Sequence, residues 1–492
     1  MTEYFGTDGV RGVVGEWPLV PEFCLYLGQV AGAVLGEVKK SPTVVIGRDT
    51  RQSGQMLQEA LTAGFLASGA NVIDLGVVPT PGVAWILRSI GAEAGVVISA
   101  SHNPPEQNGI KFFGNTGRKL PEDEERRMEQ LLQPFISGES SEGQNRFVRG
   151  SSKQGRLQDG KLLVEQYIQG LIDEHPGLNL GGMTIVLDCA NGAAYQVAPE
   201  VFGRLGARTV VIHASPNGWN INASAGSEHV RRQVRDIGML IEYYQADLGL
   251  AFDGDADRVI LVDEKENLVD GDHMLGILAR YLGQQGKLLS RSVVTTWMRN
   301  SGLHKYLEQL DIGMFETPVG DRYVVEKLLE LSEAAPNSAA IGLGGEQSGH
   351  IVLVDEAHST GDGVRTALYV IRALRETGQG SLSSFIAEVG KVPQIIASAD
   401  VGHGPRMSKA DLSALEARVL NDHPGLLRVN LRYSGTEPLF RVMLESDGGL
   451  DENALALIAI GLCRQMQHLA GAADGAIDIL NSTRGGVIEV GR

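Results

Sequence analysis

The amino-acid sequence predicts an α/β protein: three related α/β domains with mixed sheets, followed by a smaller C-terminal α+β domain. Two observations carry this prediction. At 492 residues the chain is too long for a single hydrophobic core, so we expect three or four domains. Short apolar runs typical of strands alternate with helical patterns up to about residue 390, which favours mixed or mostly parallel sheets with helices on both faces.

The individual elements follow from the periodicity of the apolar residues. Strands are predicted at 43–46, 72–75, 96–98, 184–187, 209–212, 248–252, 259–262, 293–297 and 314–316. Helices are predicted at 55–66, 199–205, 228–244, 274–281, 303–310 and 323–331. Beyond residue 392 the strands shorten, and helices are predicted at 409–419 and 452–468. We therefore place the domains at 1–158, 159–262, 263–390 and 391–492.

Two stretches lack this order. Residues 137–160 are rich in Ser, Gly, Gln and Arg, which is typical of an inserted surface loop or a loose connection. Residues 472–492 contain two short apolar runs, at 477–480 and 486–490, and these form either a small hairpin or a frayed end.

The composition argues against several classes of protein. The net charge of −17 disfavours a nucleic-acid partner, and it means that an anionic substrate needs local positive charge. No apolar run reaches the roughly 18 residues of a membrane span, so no membrane partner is expected. The three cysteines are distant and odd in number, which argues against a disulfide framework. Together with the absence of a signal-peptide pattern, they predict a cytoplasmic protein.

The most informative motif is a run of alternating carboxylates, Asp253, Asp255 and Asp257, directly after the apolar stretch 247–252. Alternate residues of an extended segment point the same way. Three converging carboxylates repel one another unless a cation lies between them, and all-oxygen ligation suits a hard divalent ion such as Mg²⁺. The motif therefore predicts a magnesium site.

Two other interpretations of this motif remain. An EF-hand calcium loop would also use Glu264, but it requires Gly where Arg258 stands, an oxygen donor where Leu261 stands, and helices on both flanks, which here resemble strands. A solvated acidic turn without a metal is the simpler alternative.

A second motif places Ser101 at the end of a predicted buried strand, just before Pro104 and Pro105 stop regular structure. Open sheets bind ligands at such strand ends. A serine hydrolase would require a Gly-x-Ser-x-Gly elbow, and the residues here are Ala-Ser-His; a turn that only satisfies its own backbone is the other alternative. Together with the metal motif, Ser101 predicts phosphoryl transfer.

Further motifs occur in order along the chain: YFGTDGVRG at 4–12, GRDTR at 47–51, SHNP at 101–104, NGIKFF at 108–113, DCANGA at 188–193, DGDADR at 253–258, VGDRYV at 319–324, GGEQSGH at 344–350 and RYSGTEP at 432–438. On these motifs the chain is identified as a member of the alpha-D-phosphohexomutase superfamily. The resemblance implies three related α/β domains and a distinct fourth around a central active-site cleft, and it favours a homodimer.

The resemblance also implies a mechanism. Ser101 would carry a phosphoryl group and share Mg²⁺ with the three aspartates. It would transfer the group to the sugar, giving a hexosamine 1,6-bisphosphate, the activator and intermediate, which reorients and returns its other phosphate to Ser101. By matched position the acid–base candidates are Lys111, His350 and Arg11, while His102, Asn103 and Arg258 brace the site.

Some roles stay open at this stage. His350 is either an acid–base group or a satisfied structural histidine. Lys111 is either buried, which would lower its pKa, or extends to solvent. Away from Ser101, the resemblance implies a second phosphate site and a sugar site, formed respectively by Arg432, Ser434, Gly435 and Thr436, and by Glu346 and Ser348.

The expected substrate is a phosphorylated hexosamine, with glucosamine 6-phosphate converted to glucosamine 1-phosphate for UDP-N-acetylglucosamine precursor synthesis. Residues 98–100 and Gln347 resemble the glucosamine enzymes of the family, whereas 224–229 and 297–301 depart from its pattern. Phosphomannomutase/phosphoglucomutase activity is the alternative. A catalytically silent sugar-phosphate sensor is the alternative of another class, and the retention of Ser101 and the aspartates opposes it.

Overall fold

Four β-sheets organise the protein in the computed structural model, which describes residues 4–6, 9–137, 153–334, 339–378, 380–434 and 438–489. Each sheet is built from a consecutive part of the chain. We call these parts the first, second, third and C-terminal units.

The first unit contains a seven-stranded mixed sheet of order β1-β2-β6-β5-β3-β4-β7. Its strands are β1 (Phe5–Gly6), β2 (Gly9–Val13), β3 (Thr43–Arg48), β4 (Asn71–Val77), β5 (Ala94–Ile98), β6 (Gln107–Gly114) and β7 (Leu157–Asp159). Its helices are α1 (Pro21–Val38), α2 (Gln52–Ser68), α3 (Thr80–Ser89) and α4 (Glu122–Ile136). Because β3 and β5 are parallel neighbours, their carboxyl ends lie side by side.

The second unit contains a five-stranded sheet of order β12-β11-β10-β8-β9. Its strands are β8 (Thr184–Asp188), β9 (Arg208–Ile212), β10 (Leu248–Phe252), β11 (Val259–Asp263) and β12 (Leu268–Val269). Its helices are α5 (Lys161–Asp173), α6 (Ala194–Arg204), α7 (Gly226–Arg232) and α8 (Val234–Tyr244). Strands β8, β9 and β10 are parallel, and β10 and β11 form an antiparallel hairpin.

The third unit contains a four-stranded sheet of order β14-β13-β15-β16. Its strands are β13 (Leu288–Thr296), β14 (Gly313–Thr317), β15 (Ile341–Gly345) and β16 (Ile351–Val354). Its helices are α9 (Gly271–Gln284), α10 (Ser301–Gln309), α11 (Asp321–Ala334), α12 (Gly363–Thr377) and α13 (Leu382–Val389). Only β16 runs antiparallel to its neighbour in this sheet.

The C-terminal unit contains an antiparallel sheet of order β18-β19-β17-β20. Its strands are β17 (Gln394–Asp400), β18 (Leu426–Tyr433), β19 (Leu439–Ser446) and β20 (Ile477–Asn481), and its helices are α14 (Lys409–Asp422) and α15 (Glu452–Ala470). In the described part of the tail, up to residue 489, β20 pairs with β17 and a bridge joins Leu480 to Val487. Backbone hydrogen bonds from Ile488 to Ile479 and from Asn481 to Gly486 flank this bridge, so the two apolar runs pair as a small hairpin, one of the two forms expected.

The first three units share a hydrophobic core, whereas the C-terminal unit has a separate one. One hydrophobic cluster runs from Val45 in β3 through Leu250 in β10 to Phe385 in α13, so the first three units share an apolar core. The C-terminal unit has its own cluster, which includes Phe440 and Ile479. Among the described residues, no helix combines the length and the apolar character that crossing a membrane requires.

The predicted fold class is confirmed, with corrections to single elements. The helix predicted at 228–244 is two helices, because Gln233 between them has non-helical angles (φ −142°, ψ 61°). Helix α6 begins at Ala194 and contains Pro199, which we expected to start the helix. Of the loop predicted at 137–160, residues 138–152 lie outside the described residues, and 157–159 form β7. The three boundaries between the four predicted domains stay predictions; those at 158 and 262 fall within strands.

Candidate active site

Ser101 lies just beyond the carboxyl end of β5, in a loop of residues 99–104 that we call the serine loop. The residue is 2% exposed and its φ of 51° is left-handed. Its backbone N–H donates to Ser99 Oγ (2.9 Å), which in turn donates to Asp49 Oδ2 (2.6 Å). Since left-handed angles are costly for a residue with a Cβ, these contacts hold a conformation that the chain would not adopt alone.

The serine loop wraps around the guanidinium group of Arg51. The residue is 1% exposed, and its Nε pairs with Asp49 Oδ2 (2.9 Å). Its Nη2 donates to the carbonyl oxygens of Ser101 (2.9 Å) and Asn103 (2.8 Å), and its Nη1 to that of Gln107 (3.0 Å). Arg51 belongs to a motif that carried the family resemblance, but no role was predicted for it.

Asn222 fixes the same loop from the second unit. Its Nδ2 donates to the carbonyl oxygens of Ser101 (2.8 Å) and Asn103 (3.1 Å). Gly254 packs so closely against Ser101 that a Cβ there would clash with the serine carbonyl oxygen. Sequence reasoning missed Asn222, because no local pattern marks a residue whose contact lies 121 positions away.

The three aspartates converge in the loop between β10 and β11, residues 253–258, which we call the acidic loop. One oxygen from each of Asp253, Asp255 and Asp257 lies within 4.8 Å of the others, and all three residues are buried. Convergence was predicted for the wrong reason: the loop is a turn, with Ala256 at φ 56°, and not an extended segment. The flanking elements are strands, as expected, so the EF-hand interpretation is excluded.

Ser101 and the acidic loop are in direct contact. Ser101 Oγ donates to Asp253 Oδ2 over 2.5 Å. Asp255 Oδ2 accepts from Thr80 Oγ1 (2.7 Å) and from Lys111 Nζ (3.0 Å). The Lys111 residue is 3% exposed, so its side chain is buried and does not extend to solvent. Thr80 was not predicted from the sequence.

The electrostatics of the acidic loop fit a cation. Burial raises the pKa of Asp253, and the carboxylates of Asp257 and Asp255 raise it further. Asp255 Oδ1 and Asp257 Oδ1 are buried oxygens with no hydrogen-bond partner among the described residues. Buried acceptors of this kind are stabilised by a positive ion, and oxygen ligands suit Mg²⁺. The donor set therefore fits the predicted magnesium ion.

His350 lies between two carboxylates rather than in the apolar core. Its Nδ1 is 3.6 Å from Asp257 Oδ2, and its Nε2 is 3.9 Å from Asp321 Oδ2. Burial lowers the pKa of His350, but Asp257 and Asp321 together outweigh it, so the net shift is upward. The ring packs so closely over Gly361 that a Cβ there would clash with it.

Three further predicted residues, His102, Asn103 and Arg258, lie in the serine loop and the acidic loop. His102 Nδ1 is 3.4 Å from Ser101 Oγ, and desolvation within the cleft, followed by the charge of Arg258, lowers the His102 pKa to about 4. The backbone N–H of Arg258 donates to Asp253 Oδ1 (3.2 Å), and Arg258 Nε lies 3.8 Å from Asp257 Oδ1. Asn103 Nδ2 donates to Gln107 Oε1 (2.7 Å).

Arg11 lies on β2, opposite Gly109 on β6, two residues before Lys111. Its charge contributes to the lowered pKa of His102, so the two side chains share one electrostatic environment. The structure thus brings Arg11 to the serine side of the site, where the sequence predicted it.

The residues predicted to bind the sugar lie between β15 and β16, in residues 346–349, which we call the sugar loop. Glu346 Oε1 accepts from the backbone N–H of Gly320 (3.0 Å). Ser348 is half-buried, and its Oγ has no partner among the described residues. Gln347, between these two, is buried, and its Nε2 donates to Asp272 Oδ2 (2.9 Å).

The predicted second phosphate site lies at the end of β18. Burial lowers the pKa of Arg432, and so does Arg441, whereas the charge of Glu346 acts in the opposite direction. Arg432 and Glu346 therefore share one electrostatic environment. Ser434 is buried at the end of the strand. Gly435 and Thr436 lie outside the described residues.

Comparison with known families matches the chain in three consecutive stretches. Residues 2–134, 165–267 and 270–392 match, in turn, alpha/beta/alpha domains I, II and III of the phosphoglucomutase/phosphomannomutase family. These stretches cover most of the chain. The chain therefore belongs to the phosphoglucomutase/phosphomannomutase family, and the resemblance found in its motifs is confirmed.

Within this family the chain is similar to phosphoglucosamine mutases. That of Desulforudis audaxviator is 44% identical over 447 residues, covering 91% of this chain and 94% of that protein. That of Pseudomonas putida is 43% identical over 469 residues, covering 94% and 98%. Mutases of this kind are isomerases, so the predicted enzyme class is confirmed.

Solved structures show the same fold at lower identity. A phosphoglucomutase/phosphomannomutase family protein from Burkholderia thailandensis has a TM-score of 0.72 at 22% identity, covering 96% of this chain and 98% of that one. N-acetylphosphoglucosamine mutase from Aspergillus fumigatus, in complex with GlcNAc-6P and magnesium, has a TM-score of 0.61 at 15% identity, covering 96% of each chain.

Proposed function

We propose that the protein interconverts glucosamine 6-phosphate and glucosamine 1-phosphate. The observation that carries this proposal is the 2.5 Å contact between Ser101 Oγ and Asp253 Oδ2, which joins a serine to a three-carboxylate loop. A nucleophilic hydroxyl beside a site fit for a divalent cation is the arrangement that phosphoryl transfer requires. The names of the relatives support a glucosamine substrate over glucose or mannose.

In the proposed reaction Ser101 carries the phosphoryl group in the resting enzyme. A sugar hydroxyl attacks the phosphorus, the bond from phosphorus to Ser101 Oγ breaks, and a hexosamine 1,6-bisphosphate forms. After the bisphosphate reorients, Ser101 Oγ attacks the other phosphate and releases the isomer. Mg²⁺ held by Asp253, Asp255 and Asp257 would neutralise charge on the moving phosphoryl group.

The attacking hydroxyl must lose a proton, and the buried groups beside Ser101 are the candidates to accept it. Lys111 is held by Asp255 at 3.0 Å, and His350 lies between Asp257 and Asp321. Asn222 and Arg51 bind the carbonyl oxygens of the serine loop, which keeps the hydroxyl in place through both transfers.

The other end of the substrate would bind the C-terminal unit. Arg432 and Ser434, with Gly435 and Thr436, would hold the phosphate that is not reacting. Glu346 and Ser348 would bind sugar hydroxyls in both orientations. We also infer a cytoplasmic location, consistent with three buried free cysteines, and a homodimer; neither nucleic acid nor a membrane is a proposed partner.

A coupled assay with glucosamine, glucose and mannose 6-phosphates tests the proposal. We expect glucosamine 6-phosphate to have the highest kcat/KM, and activity to require Mg²⁺. Intact-mass measurement should show one phosphate on the resting protein, removable by sugar monophosphate and Mg²⁺. A protein that binds sugar phosphates without carrying or exchanging phosphate would instead be a sensor, and preference for mannose or glucose would reassign the substrate.

A further inference from the structure

The side chain of Gln347 lies at the junction between the sugar loop and the C-terminal unit. Gln347 is 3% exposed, whereas its neighbours Glu346 and Ser348 are half-buried. Its Nε2 donates both to Asp272 Oδ2 (2.9 Å), on α9, and to Gln394 Oε1 (2.8 Å), on β17. One residue of the sugar loop thus joins the third unit to the C-terminal unit.

The paired strands β17 and β19 connect Gln394 to the end of the sheet where Arg432 lies. Gln394 Nε2 donates to Glu445 Oε2 (3.0 Å), and Glu445 is its register partner on β19. Arg441 lies four residues earlier on β19, roughly 13 Å away along the strand, and is the register partner of Arg432. A displacement of Gln394 relative to the sugar loop therefore displaces the Arg432 end of the sheet as well.

The rest of this junction is polar and buried rather than apolar. Lys391 pairs with Asp270 and lies 3.7 Å from Asp272. Gln347 Oε1 and Asp272 Oδ1 are buried without a hydrogen-bond partner among the described residues. Buried polar atoms without partners are costly, so this junction contributes little to stability. Its hydrogen bonds are directional, however, and they therefore favour one relative orientation of the two units.

We propose that Gln347 is a positioning residue that sets the distance between the sugar loop and the phosphate-binding end of the C-terminal unit. The inference rests on the proposed function and deepens it. A sugar with a phosphate at each end must fit Ser101, Glu346 and Arg432 at once. Loss of the Gln347 contact therefore weakens the binding of substrate more than the transfer of phosphate at Ser101.

A double-mutant cycle tests this coupling in the full-length protein. Gln347→Met and Gln394→Met each remove one amide of the pair while nearly keeping the length of the side chain. We expect each to raise the KM for glucosamine 6-phosphate roughly three- to thirtyfold with kcat within about twofold, and the double variant to be no worse than the more affected single variant. The phosphate content of Ser101 should stay unchanged.

Gln58→Met is the matched control, since Gln58 is also 3% exposed with an unpartnered Oε1 among the described residues, but lies on α2. It should leave KM unchanged. A wild-type KM in Gln347→Met, or single effects that multiply in the double variant, would overturn the proposal.

A different measurement distinguishes failure of the proposed function from failure of the proposed coupling through Gln347. If the wild-type protein turns over none of the three hexose 6-phosphates, the function fails, and hydrogen exchange without substrate then decides the coupling. We expect faster exchange in 394–400 in Gln347→Met than in Gln58→Met. Equal exchange in the two variants would overturn the coupling.

Discussion

Arg432 on β18 lies directly opposite Arg441 on β19, so two guanidinium-bearing residues share one face of the C-terminal sheet. Like charges in this position destabilise a strand pair. The pKa of Arg432 is lowered by burial and by Arg441, which means that the site disfavours its own positive charge. A phosphate bound here would relieve that repulsion.

Arg432→Ala tests whether this pair binds the phosphate that is not reacting. The contact would exist in both the ground state and the transition state, so we expect mainly a higher KM. Loss of a charge-assisted pair corresponds to about 1.5–3 kcal/mol, or roughly ten- to a hundredfold. Arg464→Ala, on α15, is the control and should leave KM unchanged. An unchanged KM with loss of the phosphate on Ser101 would place Arg432 at the reacting end.

Ser101→Ala should abolish turnover, because the protein loses the oxygen that carries the phosphoryl group. The unfolding midpoint should change little. Ser99→Ala is a matched control that removes a supporting hydroxyl and leaves the nucleophile, so turnover should fall only in part and phosphate should persist in the intact mass. Normal activity of Ser101→Ala with a sugar bisphosphate present would contradict the mechanism.

Asp255→Asn should weaken Mg²⁺ binding and activity together, since a charged ligand becomes a neutral amide and Lys111 loses the carboxylate that holds it. Calorimetric titration with Mg²⁺ and initial rates measure the two effects. Asp236→Asn, on α8, is the control and should change neither. Unaltered magnesium affinity in Asp255→Asn would show that this carboxylate is not a ligand.

Glu174→Gln should reduce stability in a pH-dependent way. Burial raises the pKa of Glu174, but Arg365, which donates from Nε to Glu174 Oε2 (2.8 Å), outweighs it and lowers the pKa from 4.5 to about 2. Because the folded pKa is the lower one, the stabilisation is complete above about pH 4.5 and is lost as the pH falls towards about 2. Its size is on the order of 3 kcal/mol.

Urea unfolding of Glu174→Gln measures this effect. The midpoint should fall clearly below the wild-type value at pH 7, and the difference should narrow below about pH 4.5. Glu165→Gln removes an exposed pair with Arg204 and should have little effect at any pH. A difference that is constant with pH would show that the loss comes from packing and not from charge.

Secondary structure could be predicted from the sequence wherever the residues of one segment form a clear local pattern. The strand at 248–252 was predicted with the bounds that the structure gives, because it is a continuous apolar run and buried on both faces. The break between two helices at Gln233 was not predicted, because no Gly or Pro stands there. Only the backbone angles of Gln233 show the interruption.

In the candidate active site too, residues within local motifs could be predicted, whereas residues placed by contacts distant in sequence could not. Ser101 and the three aspartates lie in short motifs whose residue types indicate their chemistry, so the sequence could predict them. Thr80, which contacts Asp255 across 175 positions, depends on the packing of separate units. The direction of Gln347 is likewise decided by buried partners outside its own loop.

The strand β20 pairs with β17 and takes its place at the edge of the C-terminal sheet. Without it, β17 would be the edge of the C-terminal sheet, with backbone groups from Ile395 to Ala399 open to another chain. The tail thus covers a strand edge that has no role in the chemistry. A shortened protein that ends before Ile477 could keep every residue of the site and still be lost to aggregation.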